Sequence, residues 1–383
     1  MILMNLDLDN FLSFNKFNIN FSYPRKVKNN SLNGEYLNDF PHFRYRKLNL
    51  ILGSNSSGKT SLGRIINAVF EFIRIRNPLS ILSLADDESK PANFSMDIVF
   101  DKDENKVAND ACMWRLKGSV SKNEEQLNFF YEKLRPSDTY EKVVKRIKKQ
   151  MGMDKSVRNS ISDIANPFEG LAGLFSFPMN EPGYDQVKCA FSEEKQDRYK
   201  HILETILKTM DTSIKDVQKT PDVKDSYFIN FYNGKQVVFQ DGDLYSKIKL
   251  LSSGTKYSFN IANAIMNIIY RKHSFSYLDE QFTYVDSDIE EVLISVMTNL
   301  LKDCSQLIIT SHNKDLLNMN LPTHSFGFLK KDVVEGKSYT EYINASDYVK
   351  KNTQSLFQSY QNDLFQATPS TDLLRSLAEA KKE

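Results

Sequence analysis

The run Gly53-Ser-Asn-Ser-Ser-Gly58-Lys59-Thr60 fits G-x-x-x-x-G-K-[ST], a spacing suited to holding a polyphosphate. The glycines let the backbone curl so that N–H groups point inward, and the start of the following helix adds its positive end. Lys59 supplies a cation for the β- and γ-phosphates, and Thr60 a hydroxyl for Mg²⁺. The candidate contacts are Gly53, Asn55, Ser56, Ser57, Gly58, Lys59, Thr60 and Ser61.

A second group of reactive residues lies far downstream. Asp279-Glu280 ends a short apolar run, Phe275–Leu278, and an acidic pair at the carboxyl end of a strand can hold Mg²⁺ and polarise water. Asp286 follows closely, and Ser311-His312 closes another apolar run, Leu307–Thr310. A lone histidine is most often a core or capping residue, but the position of His312 after Asp279-Glu280 favours a site role. Ser252-Ser253-Gly254 opens an apolar helix and is a further anion-site candidate; alone, such a turn is usually only an N-cap.

The elements that must position these groups are legible by period. Leu48–Leu52 reads as a buried strand, and Leu62, Ile65, Ile66, Val69, Phe70 and Ile73 recur at helical spacing. Residues 4–21 alternate as two strands joined near Asn15-Lys16, and 22–45 read as loop. Phe94–Phe100 and Ala111–Leu116 read as strands, Tyr140–Gln150 as a basic helix, Asn166–Pro182 as loop and Asp197–Val217 as an amphipathic helix. Asn233-Gly234 between two apolar runs predicts a hairpin over Tyr227–Gln240. The apolar residues from Phe259 to Ile269 and from Ile289 to Leu300 predict two more helices. The expected organisation is α/β: a split core of 1–116 and 226–345, a mostly helical insertion over 117–225, and a helical, polar tail over 346–383.

Composition narrows the class. The chain has 383 residues, 40% hydrophobic and 26% charged, with Lys+Arg 50 against Asp+Glu 49, which argues against a globally basic nucleic-acid binder. Cys112, Cys189 and Cys304 form neither a zinc spacing nor a disulfide framework, which suits a reducing compartment. No apolar run approaches the roughly 20 residues that cross a bilayer. MILMNLDLDNF carries no basic region or cleavage pattern, so a cytoplasmic protein is expected.

The order of P-loop, LSSGTK, strand–DE, Asp286 and strand–SH resembles the ABC-type ATPase head. The opening LDLDNFLSFNKFNINF is similar to the N-F-x-S-F ladder of the SMC, RecF and OLD lineage, with Leu12 where an Arg is usual. The tail Gln358-Ser-Tyr-Gln-Asn-Asp-Leu-Phe-Gln-Ala-Thr-Pro369 is similar to the ending of stand-alone ATPases of that group, though it lacks their two glycines.

The resemblance implies an N-terminal β-ladder on a P-loop head, ATP and Mg²⁺ as ligands, and a homodimer or higher homo-oligomer with ATP sandwiched between heads. It implies a Walker B role for Asp279 on Mg²⁺, a general base in Glu280, and a γ-phosphate switch in His312. Ser252 and Gly254 would reach across to the other head's γ-phosphate, and Asp286 would cross the dimer seam, with Gln281 where the family has proline. For the glutamine that follows a strand after the P-loop helix, no residue stands at the expected place, and Gln126 falls late.

Two roles remain open. One is a regulatory ATPase of prokaryotic anti-phage defence that controls a separately encoded effector; the other is a DNA-maintenance ATPase with DNA as partner. The insertion is too short for an SMC arm, and no nuclease pattern accompanies the ATPase motifs. Lys142–Lys149 is either a solvated helix face or a surface for nucleic acid or an acidic partner.

Overall fold

In the computed structural model the residues described are 1–23, 31–100, 110–152, 168, 173–178, 192–220, 223, 226–240, 243–244, 251–270, 274–350 and 354–368. Leu48–Leu52 is buried throughout and forms β5, inside a six-stranded sheet of order β17-β16-β5-β15-β14-β9. The partners are β9 (Gly173–Ser176), β14 (Phe275–Asp279), β15 (Gln306–Ser311), β16 (Phe326–Val334) and β17 (Lys337–Asn344). All neighbours run parallel except β17, which returns antiparallel from β16. Near-continuous apolar strands such as β14 and β15 are what a parallel sheet covered on both faces demands.

A five-stranded antiparallel ladder lies beside it: β1 (Ile2–Asp9), β2 (Phe17–Asn20), β6 (Ala92–Phe100), β7 (Cys112–Val120) and β8 (Glu125–Lys133), in the order β2-β1-β6-β7-β8. Helix α1 (Lys59–Ile75) joins the two sheets. Its Leu62, Ile65, Ile66 and Val69 belong to one core cluster with Leu6, Leu8, Met96 and Leu116 of the ladder and Tyr277 and Ile308 of the central sheet. Each such side chain contributes about 1.5–3 kcal/mol by leaving water.

The opposite face of the central sheet carries α5 (Ser253–Tyr270), α6 (Ser287–Leu300) and α4 (Glu193–Met210), together with a small sheet of β10 (Ile214–Lys219), β11 (Ser226–Phe231), β12 (Gln236–Gln240) and β13 (Asp243–Leu244). Further elements among the described residues include the β3 (Tyr36–Leu37) and β4 (Phe40–Arg44) pair, α2 (Leu79–Leu82), α3 (Tyr140–Gly152), α7 (Ala345–Tyr348) and α8 (Leu356–Gln361).

The segment 117–225 holds helices α3 and α4, as its periodicity predicts, but it is woven into the core. Residues up to Val120 complete β7, and β8 is the ladder's edge. Helix α3 lies against β8 and drops Tyr140 onto a buried ion pair, Arg115 with Asp97. β9, inside the stretch read as loop, pairs with β14 at the edge of the central sheet. Four residues of Gly-Leu-Phe-Ser are too few for a period to show, and Phe175 packs on Phe70, Phe275 and Tyr277. The helix read to Val217 ends at Met210, and Ile214 and Val217 point inward from a strand. Residues 101–109, the rest of 166–182, Cys189 and 369–383 lie outside the described residues.

Candidate nucleotide site

β5, β14 and β15 are adjacent and parallel, so their carboxyl ends open on one edge of the sheet. Ligands of α/β folds bind at that edge. From β5 comes the loop 53–58; from β14, Asp279 and Glu280; from β15, Ser311 and His312.

The loop's glycines are required by space. A Cβ on Gly53 would stand 2.5 Å from Ser57 Oγ and 2.8 Å from the Leu329 carbonyl. Gly58, at φ 106°, begins α1 in the left-handed region, and a Cβ there would stand 3.0 Å from the Phe14 ring. Asn55 and Ser56 are exposed and Ser61 is half-buried; Ser57 Oγ is buried and finds no hydrogen-bond partner among the described atoms. An orphaned buried hydroxyl beside a cradle that excludes Cβ atoms fits a loop shaped for an anion.

Lys59 is buried and folds back over the loop, donating to the carbonyls of Gly53 (3.0 Å) and Ser54 (3.1 Å). Its Nζ is 3.5 Å from Glu280 Oε1. Burial lowers the Lys59 pKa, with Glu280 and Asp279 opposing. Thr60 Oγ1 donates to Asp279 Oδ2 (2.5 Å), and Thr310 Oγ1 to Asp279 Oδ1 (2.6 Å). Asp279 is fully buried, and burial raises its pKa despite those two hydroxyls.

Glu280 stands at φ 48°, a left-handed conformation that costs a non-glycine residue about 1–3 kcal/mol. Its N–H donates to the Thr310 carbonyl (3.2 Å), and its Oε1 lies 2.7 Å from His312 Nε2. Burial pushes its carboxyl up, but the His312 hydrogen bond and the Lys59 charge more than offset this, leaving it below the usual carboxylate range. His312 Nδ1 is 3.1 Å from the Gly53 carbonyl and 3.1 Å from Lys59 Nζ. Lys59, Thr60, Asp279, Glu280 and His312 therefore form one contact network built from residues distant in sequence.

The signature and seam candidates lie outside that network: no described hydrogen bond or ion pair joins Ser252, Ser253, Gly254 or Asp286 to it. Ser252 Oγ accepts from the Thr255 N–H (3.1 Å), the N-cap geometry, and Ser253 is the exposed first residue of α5. Gly254 abuts the chain ahead of Asp286, where a Cβ would stand 2.7 Å from the Tyr284 carbonyl. Asp286 is exposed at the start of α6 with its side chain uncapped. Gln126 is on β8, bonded to Glu124 and part of the ladder's outer surface, so it does not serve the nucleotide site. In the position-281 departure, Gln281 ties helix to strand: it donates to the Asp279 carbonyl (2.8 Å) and accepts from Asn260 of α5 (3.0 Å).

Four supporting residues were not singled out from the sequence. Thr310 contacts both acidic residues, Tyr277 OH donates to the Lys59 carbonyl (2.6 Å), and Ser13 and Thr340 join the ladder to β17 beside Gly58. Tyr277 is two residues before Asp279 and so on its face of the strand, a signal available by period.

No family model and no curated protein matches this chain. Among solved structures it is similar to an SMC head bound to the C-terminal winged-helix domain of ScpA (13% identity, 91% of this chain and 100% of that one, TM-score 0.48). It is similar also to the SMC head domain of Thermotoga maritima (16%, 89% and 98%, TM-score 0.41). A third is the Smc head of Pyrococcus furiosus with an extended coiled coil bound to the C-terminal domain of ScpA (12%, 91% and 98%, TM-score 0.46). Among the described residues no helix is long and apolar enough to cross a membrane.

Proposed function

We propose that this chain is an ATPase of the ABC type that binds ATP with Mg²⁺ at the loop 53–61 and hydrolyses it between two copies of itself. The single observation that carries the reading is the convergence of Lys59, Thr60, Asp279, Glu280 and His312 on the carboxyl ends of three adjacent parallel strands. Thr60 and Asp279 would hold the metal, which when bound spreads phosphate charge and aligns the oxygens. Lys59, freed from the loop carbonyls, binds phosphate. Glu280, kept ionised by Lys59 and His312, orients water and takes its proton. His312 holds the Glu280 carboxylate and reports on the phosphate end of the site.

Calorimetric titration of wild type and Lys59→Ala with ATP tests the binding half, and phosphate release from wild type and Glu280→Gln tests the hydrolytic half. Wild-type-like affinity in the lysine variant would remove the loop from the reading.

At the cellular level we propose a regulatory ATPase that controls a separately encoded effector in anti-phage defence. Among the described residues no group of three or more His, Cys, Asp or Glu is placed to hold a metal ion, and on this reading the output belongs to another chain. Coexpression with the neighbouring genes and pull-down tests this. Tight ATP-dependent DNA binding with no protein partner would favour the DNA-maintenance reading, which the exposed lysines of α3 support.

A further inference from the structure

Glu290 lies one turn into α6 and is 2% exposed. Its two carboxylate oxygens are satisfied separately. Ser311 Oγ donates to Oε1 (2.8 Å), and Asn313 Nδ2 to Oε2 (2.8 Å). Ser311 and Asn313 are the two residues that flank His312. The clamp is closed on itself, because the Asn313 N–H donates to Ser311 Oγ (3.0 Å). Asn313 also reaches forward and back: its Oδ1 accepts the Asp315 N–H (2.9 Å), and its Nδ2 donates to Ser287 Oγ (2.7 Å). Ser287 follows Asp286 directly.

A carboxylate buried without a cation is costly. Burial raises the Glu290 pKa against the help of Asn313 and Ser311, and the negative charges of Glu291 and Asp315 add to the rise. An apolar residue could fill this place on α6 more cheaply, but could not grip both neighbours of His312.

We propose that Glu290 is a positioning residue for His312, and that through Asn313 and Ser287 it links the histidine loop to the Asp286 turn. This rests on the ATPase reading of the site. Held on both sides, the His312 ring keeps its Nε2 on Glu280 without a search over loop conformations. Because Asn313 spans Glu290 and Ser287, a displacement of the Asp286 turn, as when a second head docks there, shifts the same hydrogen bonds that aim His312.

The test uses the full chain and Glu290→Gln, which keeps size and one acceptor but sets an amide N–H₂ against a donor. Expected are a kcat lowered about tenfold or more, as for misplaced catalytic groups, and an ATP affinity by calorimetry unchanged within twofold. In a His312→Ala background, Glu290→Gln adds no further loss, because the histidine it aims is gone. Amide hydrogen exchange at 311–315 rises in the ATP-free variant. A wild-type kcat, a further proportional loss in the His312→Ala background, or unchanged exchange overturns the proposal. If Glu290→Gln does not fold, Ser311→Ala removes one arm of the clamp and is read the same way. Failure of wild type to bind ATP would overturn the ATPase reading instead, and the exchange measurement would still decide whether Glu290 holds the loop.

Discussion

At the scale of single residues, the site sets one carboxylate against another. Asp279 and Glu280 are neighbours in sequence, yet burial holds the first above its ordinary pKa and a histidine and a lysine hold the second below. Adjacent groups pushed apart in this way mark a division of labour. Lys59→Ala should abolish measurable ATP binding, because it deletes the cation proposed to meet the phosphates; isothermal titration reads this directly. Glu280→Gln should bind ATP and lose about 10²–10⁴-fold in kcat, the usual worth of a general base. Asp279→Asn should separate stability from function. Because the folded pKa of Asp279 exceeds its unfolded one, its contribution is favourable at acid pH and lost as pH rises through the folded value. At neutral pH the ionised group is a net cost, so the ligand-free variant should melt about 1–3 °C higher by calorimetry, while Mg²⁺-dependent ATP binding falls.

At the scale of elements, α1 must approach β14 closely for its first turn to meet Asp279. Gly63 permits this, since a Cβ there would stand 2.5 Å from the buried Tyr277 ring and 3.0 Å from Phe177. Tyr277 in turn bonds the Lys59 carbonyl. Gly63→Ala should therefore cost about 1–3 kcal/mol, the range for overpacking, and slow hydrolysis as well, measured by urea unfolding and phosphate release on the same preparation. Sequence pattern revealed the elements that frame the candidate site because each combines an apolar run with a reactive residue at its end: Leu48–Leu52 before the loop, Phe275–Leu278 before Asp279, Leu307–Thr310 before Ser311. It missed β9, whose four residues are too few for a period to stand out and end in no reactive group, and β3–β4, whose pairing is equally brief. It also missed the β16–β17 hairpin, although Glu335-Gly336 between alternating runs is a turn signal; both residues take positive φ. The Glu290 clamp was illegible for a different reason. Its partners are 21 and 23 positions away, and only the packing of α6 over the end of β15 brings them together.

At the scale of the whole molecule, the hydrogen bonds of Ser252 stay within its own helix and Asp286 stands exposed, while the Lys59–Glu280–His312 network forms without either. A site completed in trans by a second head, as proposed above, would account for this separation, and a two-fold arrangement would give each ATP a loop from one protomer and a signature turn from the other. Mixing inactive variants decides the matter. Lys59→Ala spoils a protomer's own loop; Ser252→Arg sets a bulky cation where the partner's phosphate would meet α5. Each homodimer should be inactive. In a heterodimer one composite site carries both lesions and the other carries none. With statistical mixing and independent sites, activity should recover to about one quarter of wild type, since half of the dimers are mixed and each holds one intact site. Recovery should follow subunit exchange, monitored by differently tagged chains, and vanish when the two variants are held in separate homodimers. Confirmed mixed dimers without recovered hydrolysis would place the complete site within one chain.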